Sequence, residues 1–178
     1  MLWLVYYRFT IYRFDNTGNC IHYVEKTTEE ESKLKIRRID HVAIVVNDLS
    51  AAKAFFHDFG LEVKGEWEAE GDLMGYAVGL KDAKVGCVGL GTPDGPTWIE
   101  LIKFYSPLDE KDLHQTFANT LGIRHLAFTV ENMEAIVAKL KGKGTEIFSE
   151  IQQYEDRYKL CYVRGPEGII LELAEEIL

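Results

Sequence analysis

The chain has 178 residues, 47% of them hydrophobic and 28% charged, the balance of an ordinary globular protein with a sizeable core. Its 29 acidic against 20 basic residues give a net charge of −9, and no basic run is longer than Arg37-Arg38, so nucleic acid and anionic membrane surfaces are excluded as partners. Cys20, Cys87 and Cys161 are far apart and odd in number, which fits a reducing cytoplasm better than a disulfide framework.

Residues 1–14 are apolar and aromatic, but Arg8 and Arg13 interrupt them. The run is far shorter than the roughly 20 residues that span a bilayer, so neither a membrane span nor a leader is expected. Residues 2–14 and 21–24 flank the turn-rich Asp15-Asn16-Thr17-Gly18-Asn19, a β-hairpin pattern. With the charged stretch Thr27 to Lys35 they make residues 1–36 an N-terminal extension. The principal domain is expected over 37–178, as a module at 37–105, a linker at 106–122 and a second module at 123–178.

Those two modules are copies. Ile39-Asp40-His41-Val42-Ala43-Ile44-Val45-Val46 returns as Ile123-Arg124-His125-Leu126-Ala127-Phe128-Thr129-Val130 at a constant offset of 84. Trp98-Ile99-Glu100-Leu101 returns as Ile170-Leu171-Glu172-Leu173 at an offset of 72, so the first copy is 12 residues longer in its middle. In the opening strands Val42, Ile44 and Val46 alternate with His41, Ala43 and Val45, and Leu126, Phe128 and Val130 alternate with His125, Ala127 and Thr129. A helix follows each strand: Asp48 as N-cap, Phe55, Phe56 and Phe59 on one side and Gly60 as terminator; then Asn132 as N-cap, Ile136, Val137 and Leu140, and a stop at Gly142 or Gly144.

Three strands follow each helix, at 61–68, 84–90 and 97–105 and at 145–152, 158–164 and 169–174, with Pro93-Asp94-Gly95 and Pro166-Glu167-Gly168 as matching turns before the last. The surplus Glu70 to Asp82 predicts a short helix or loop over the mouth of the site. The expected fold is α+β: two βαβββ modules whose sheets form a curved mixed-sheet cup.

Alternation puts Glu100 on a face with Trp98 and Ile102, and Glu172 on a face with Ile170 and Ala174. An ionised carboxylate inside an apolar strand is costly unless paired or metal-bound. A lone strand histidine is more often a packed core residue, but packing does not ask for two histidines and two glutamates at symmetry-equivalent positions. Together His41, Glu100, His125 and Glu172 make a ligand set for a divalent cation of the Zn, Ni, Mn, Fe or Co kind with open positions. Tyr154, Arg157, Tyr158 and Tyr162 are candidates for the substrate mouth. His22, His57 and His114 have no symmetry mates and are expected at the surface, and Cys87 and Cys161 read as buried hydrophobes. No GxSxG, P-loop or GxGxxG is present, leaving triad hydrolases and nucleotide binding unsupported.

Residues 37–178, through these repeated His and Glu strands and the P-D-G and P-E-G turns, resemble the vicinal oxygen chelate superfamily of glyoxalase I, methylmalonyl-CoA epimerase, extradiol dioxygenases and bleomycin- or fosfomycin-resistance proteins. The resemblance implies that His41, Glu100, His125 and Glu172 occupy the four metal-ligand sites. It also implies a small-molecule substrate, a homodimer and proton transfer through an enediolate, with Glu172 as proton shuttle and Glu100 as second candidate. Glutamate at the second ligand place favours a glyoxalase I (lactoylglutathione lyase) pattern over an epimerase. The alternatives are a bleomycin-resistance-like protein that binds an antibiotic or metabolite without turnover, and a methylmalonyl-CoA epimerase-like isomerase, for whose phosphates the acidic balance is unfavourable.

Overall fold

A computed structural model describes residues 5–7, 10–14, 20–23, 36–109 and 117–177. The chain divides into two units, Met1–Arg38 and Ile39–Leu178. In the first, β1 (Val5–Tyr7), β2 (Thr10–Phe14) and β3 (Cys20–Tyr23) form an antiparallel sheet in that order. The predicted hairpin is the β2–β3 pair, with Ile11 opposite Tyr23 and Phe14 opposite Cys20, and its first arm is split into two strands. The turn at 15–19 and the charged stretch at 27–35 lie outside the described residues.

The second unit holds the repeat. Its first module runs β4 (His41–Val45), α1 (Leu49–Phe59), β5 (Glu62–Glu70), α2 (Asp72–Val78), β6 (Lys84–Gly91) and β7 (Trp98–Ser106). The second runs β8 (His125–Thr129), α3 (Met133–Gly142), β9 (Gln152–Tyr154), β10 (Tyr158–Arg164) and β11 (Ile170–Glu176). The sheets have the same order, β4-β7-β6-β5 and β8-β11-β10-β9, with the first pair parallel and the rest antiparallel. They are two separate four-stranded sheets rather than one continuous sheet. Among the described residues no helix is long and apolar enough to cross a membrane.

Local chemistry accounts for most boundaries. The Asp48 carboxylate accepts from the Ala51 amide at 2.9 Å, and Gly60 ends α1 at φ 122°, where a Cβ would be strained. Asn132 departs from expectation: it sits at φ 61° and makes no side-chain cap. The Glu175 carboxylate accepts from the Asn132 and Met133 amides instead, at 2.9 and 3.2 Å. Burial alone would raise the Glu175 carboxyl, but those two amides and Lys159 hold it below the usual range. The strand expected at 145–152 is also broken: Ile147 bridges Val163, but regular pairing resumes only at Gln152, and between them the Ser149 carbonyl turns to the Cys161 thiol at 3.7 Å.

One core runs through both modules. Ala52, Phe56, Leu90 and Leu101 from the first, and Met133, Leu140, Val163, Leu171 and Leu173 from the second, are buried in a single cluster. The apolar strand faces meet it through Ile44, Leu126, Phe128 and Val130, and Phe59 of α1 stands edge-on to Phe128 of β8 with centroids 5.1 Å apart. Lys139 of α3 and Lys143 just beyond its end bind the carbonyl and carboxylate of Asp58 in α1.

A polar clasp adds to this. Glu167, in the turn before β11, accepts from the Asn47 and Asp48 amides at 2.7 and 2.8 Å and from Asn47 Nδ2 at 3.1 Å. Its negative charge lies at the N-terminal end of α1, where the helix dipole favours an anion. Glu167→Ala is therefore expected to destabilise the second unit by about 1–3 kcal/mol, read as a lower urea midpoint with an unchanged m-value.

Candidate functional site

Register explains how each histidine meets its glutamate. Ala43 stands directly opposite Glu100, and Ala127 directly opposite Glu172. The histidine lies two residues earlier on the same face, diagonal to the carboxylate, and the small alanine leaves the space through which they meet. His41 Nε2 is 3.5 Å from Glu100 Oε2, and His125 Nε2 is 3.1 Å from Glu172 Oε2. Both glutamate side chains are 16% exposed, so each carboxylate is largely drawn from water beside one imidazole.

The flanking groups differ between modules. His41 Nδ1 donates to Asp40 at 3.2 Å, which favours Nε2 as the nitrogen with the lone pair. His41 also packs against Trp98, centroids 4.8 Å apart. In the second module the Tyr162 hydroxyl donates to Glu172 Oε2 at 2.5 Å, and its ring stands edge-on to His125 at 5.6 Å. That hydrogen bond, with burial and the carboxylate charge, pushes the Tyr162 hydroxyl up to about 12, so it remains a donor at neutral pH.

The four expected ligands thus come together as two pairs, one per module. Among the described residues no group of three or more His, Cys, Asp or Glu side chains is placed to hold a metal within one chain. Of the expected mouth residues, Tyr162 joins its pair, while Tyr154 and Tyr158 face each other across β9 and β10 further along the same side. Arg157 sits in the turn between those strands, exposed and 3.8 Å from Glu155. His22 lies in β3 and His57 in the last turn of α1; His114 is outside the described residues. Cys87 and Cys161 are buried. Burial, helped by the Glu100 charge, pushes the Cys87 thiol up to about 11, and burial raises that of Cys161, so neither is an activated nucleophile.

Sequence reasoning missed Asp40 and Glu167 as contributors. The partner of Asp40 is its neighbour His41, a local signal in plain view, whereas the partners of Glu167 in the Pro-Glu-Gly turn are fixed by tertiary contact.

Two βαβββ modules, each opening on a strand histidine and closing on a strand glutamate, define the class of protein. The sequence matches the Glyoxalase/Bleomycin resistance protein/Dioxygenase superfamily over residues 38–173, and the chain belongs to that superfamily. It is 32% identical to the uncharacterized protein YwkD of Bacillus subtilis over 142 residues, covering 79% of this chain and 98% of that one. A crystal structure of a glyoxalase family protein from Bacillus cereus is 40% identical, covering 83% of this chain and 99% of that one, with a TM-score of 0.79. The fosfomycin resistance protein FosX of Listeria monocytogenes shares the fold, with 18% identity, coverage of 78% and 93%, and a TM-score of 0.52.

Proposed function

We propose that the chain is a metal-dependent enzyme of the glyoxalase I (lactoylglutathione lyase) kind, which moves a proton beside two vicinal oxygens of a small substrate. The observation that carries this reading is the matched pair of His/Glu contacts, 3.5 Å in one module and 3.1 Å in the other. Neighbouring ligands of one ion, each about 2.1 Å from it, lie about 3 Å apart, so each pair has the spacing of two adjacent ligands. The donor set suits a divalent ion of the Zn, Ni, Mn, Fe or Co kind.

Two donors make half a site. We assign the other half to a second copy of the chain, His41 and Glu100 of one copy facing His125 and Glu172 of the other. The strands that carry the histidines support this, since Ile39 is 69%, Val45 60% and Ile123 79% exposed on or beside the same faces. Such apolar side chains bracketing a partly desolvated polar pair call for a covering surface, and covering them would also exclude water from the reaction.

When bound, the ion supplies Lewis acidity toward the two oxygens, which acidifies the neighbouring C–H. The chain's own residues do the rest. Asp40 holds the His41 ring, and Tyr162 donates to Glu172 Oε2, the same oxygen that His125 approaches. The other oxygen of Glu172, Oε1, is the one we assign to take the proton from one carbon and return it to the next.

Metal analysis and mass in solution test this together: one ion per chain is expected, in a dimer, with turnover of a hemithioacetal that a chelator abolishes and added metal restores. A metal-free monomer would overturn the shared site. A metal-loaded dimer inactive on hemithioacetals and thioesters would instead favour the non-catalytic binding role.

A further inference from the structure

The two modules differ at positions the repeat makes directly comparable. Tyr162 stands opposite Glu172 and Arg164 opposite Ile170; at the same places in the first module stand Gly89, opposite Glu100, and Gly91, opposite Trp98. Gly65 faces Gly89 from the next strand. Glycine inside a strand costs stability, so three on adjoining rungs need a reason, and close approach of another group is the usual one.

Beside this bare backbone lies a cavity of about 390 Å³ lined by Lys64, Gly65, Trp67, Gly89, Gly95 and Trp98, within the range of small-molecule sites. Its walls are two indoles, centroids 6.0 Å apart at 68°. A Cβ at Gly89 would stand 2.9 Å from Trp98 and 3.5 Å from Trp67, so both rings close over the bare strand. Trp67 nonetheless remains 39% exposed, an indole left open on the cavity side of a sheet. The one charged lining group, Lys64, has its ammonium engaged by Glu62 at 3.1 Å, which leaves the cavity apolar. Through Gly89 the cavity adjoins Glu100, and through Trp98 it adjoins His41.

We propose that this slot, walled by the corner where Trp67 meets Trp98 and bordered by Gly65 and Gly89, holds a flat apolar group of the substrate beside the oxygens that reach the metal. The inference rests on the metal-site reading above and narrows the substrate to small vicinal-oxygen compounds bearing a ring-sized planar substituent. Aromatic faces at right angles receive such a ring by stacking on one wall and meeting the other edge-on.

Benzohydroxamate and acetohydroxamate offer the same two vicinal oxygens and differ in phenyl against methyl, so titrating both into metal-loaded protein by calorimetry and tryptophan fluorescence isolates the slot. Benzohydroxamate is expected to bind about tenfold more tightly. Gly65→Val, which fills in the slot's border, should abolish that preference and leave acetohydroxamate binding unchanged. A Cβ there meets Trp67 alone, at 3.7 and 3.9 Å, an ordinary contact. Trp67→Ala, at a partly exposed strand position, should do the same and serves if the valine variant folds poorly. Equal affinities in the wild type, or a preference that survives both substitutions, overturns the slot while tight acetohydroxamate binding keeps the metal site. Saturable quenching by benzamide that Gly65→Val removes, with neither hydroxamate exceeding its amide, keeps the slot and overturns the metal site.

Discussion

Glu172→Gln is expected to lower turnover by about 10²–10⁴-fold, the usual contribution of a positioned general acid or base. Glutamine matches the carboxylate in shape and can still accept from Tyr162, so the fold and the Tyr162 contact at 2.5 Å should persist. What disappears is an oxygen able to take a proton, together with one negative charge beside His125. Metal content must be measured on the same preparation, because the residue is also assigned as a ligand. Wild-type turnover with metal still bound would remove Glu172 from the mechanism. A parallel loss in Glu100→Gln would show that both carboxylates carry the chemistry.

Phe56→Ala should produce the largest loss of stability, about 3–5 kcal/mol, the range for deleting a buried ring. Phe56 is 0% exposed and belongs to the cluster that also holds Met133 and Leu173 of the other module. Its ring is edge-on to Phe55, centroids 5.4 Å apart, on a helix clamped at one end by Asp48 and Glu167 and at the other by Gly60. The rigid cap geometry limits how far α1 can move to close the hole, so the cost should fall at the upper end. Since small domains are stable by only about 5–15 kcal/mol, the variant should unfold at markedly lower urea. A loss under 1 kcal/mol would mean that the two modules do not share a cooperative core.

Much of this was readable from one-dimensional pattern. The alternation that separates Val42, Ile44 and Val46 from His41, Ala43 and Val45 is reproduced in burial, because a strand has two faces and only one meets the helices. Asp48 and Gly60 act as local chemistry dictates. Asn132 did not, because its capping role is taken by Glu175, 43 residues away, and no local rule foresees a partner at that distance. The broken strand before Gln152 has the same origin, since the Ser149 carbonyl answers to Cys161 on another strand. The four candidate ligands were legible as equivalents by symmetry, but symmetry is silent on whether the equivalents meet. That is decided by how the modules pack, Phe59 of α1 on Phe128 of β8 and Lys139 of α3 on the Asp58 carbonyl, contacts that no repeat encodes.

If the site is shared between two copies of the chain, as proposed above, one pair per module has a genetic consequence. Chains disabled at His41 and chains disabled at Glu172 would each be inert alone, because every site of either homodimer carries a lesion. Mixed, unfolded and refolded together, they should form hybrids in which one site collects both defects and the other none, so that two dead preparations rescue each other. A site confined to a single chain would allow no such recovery.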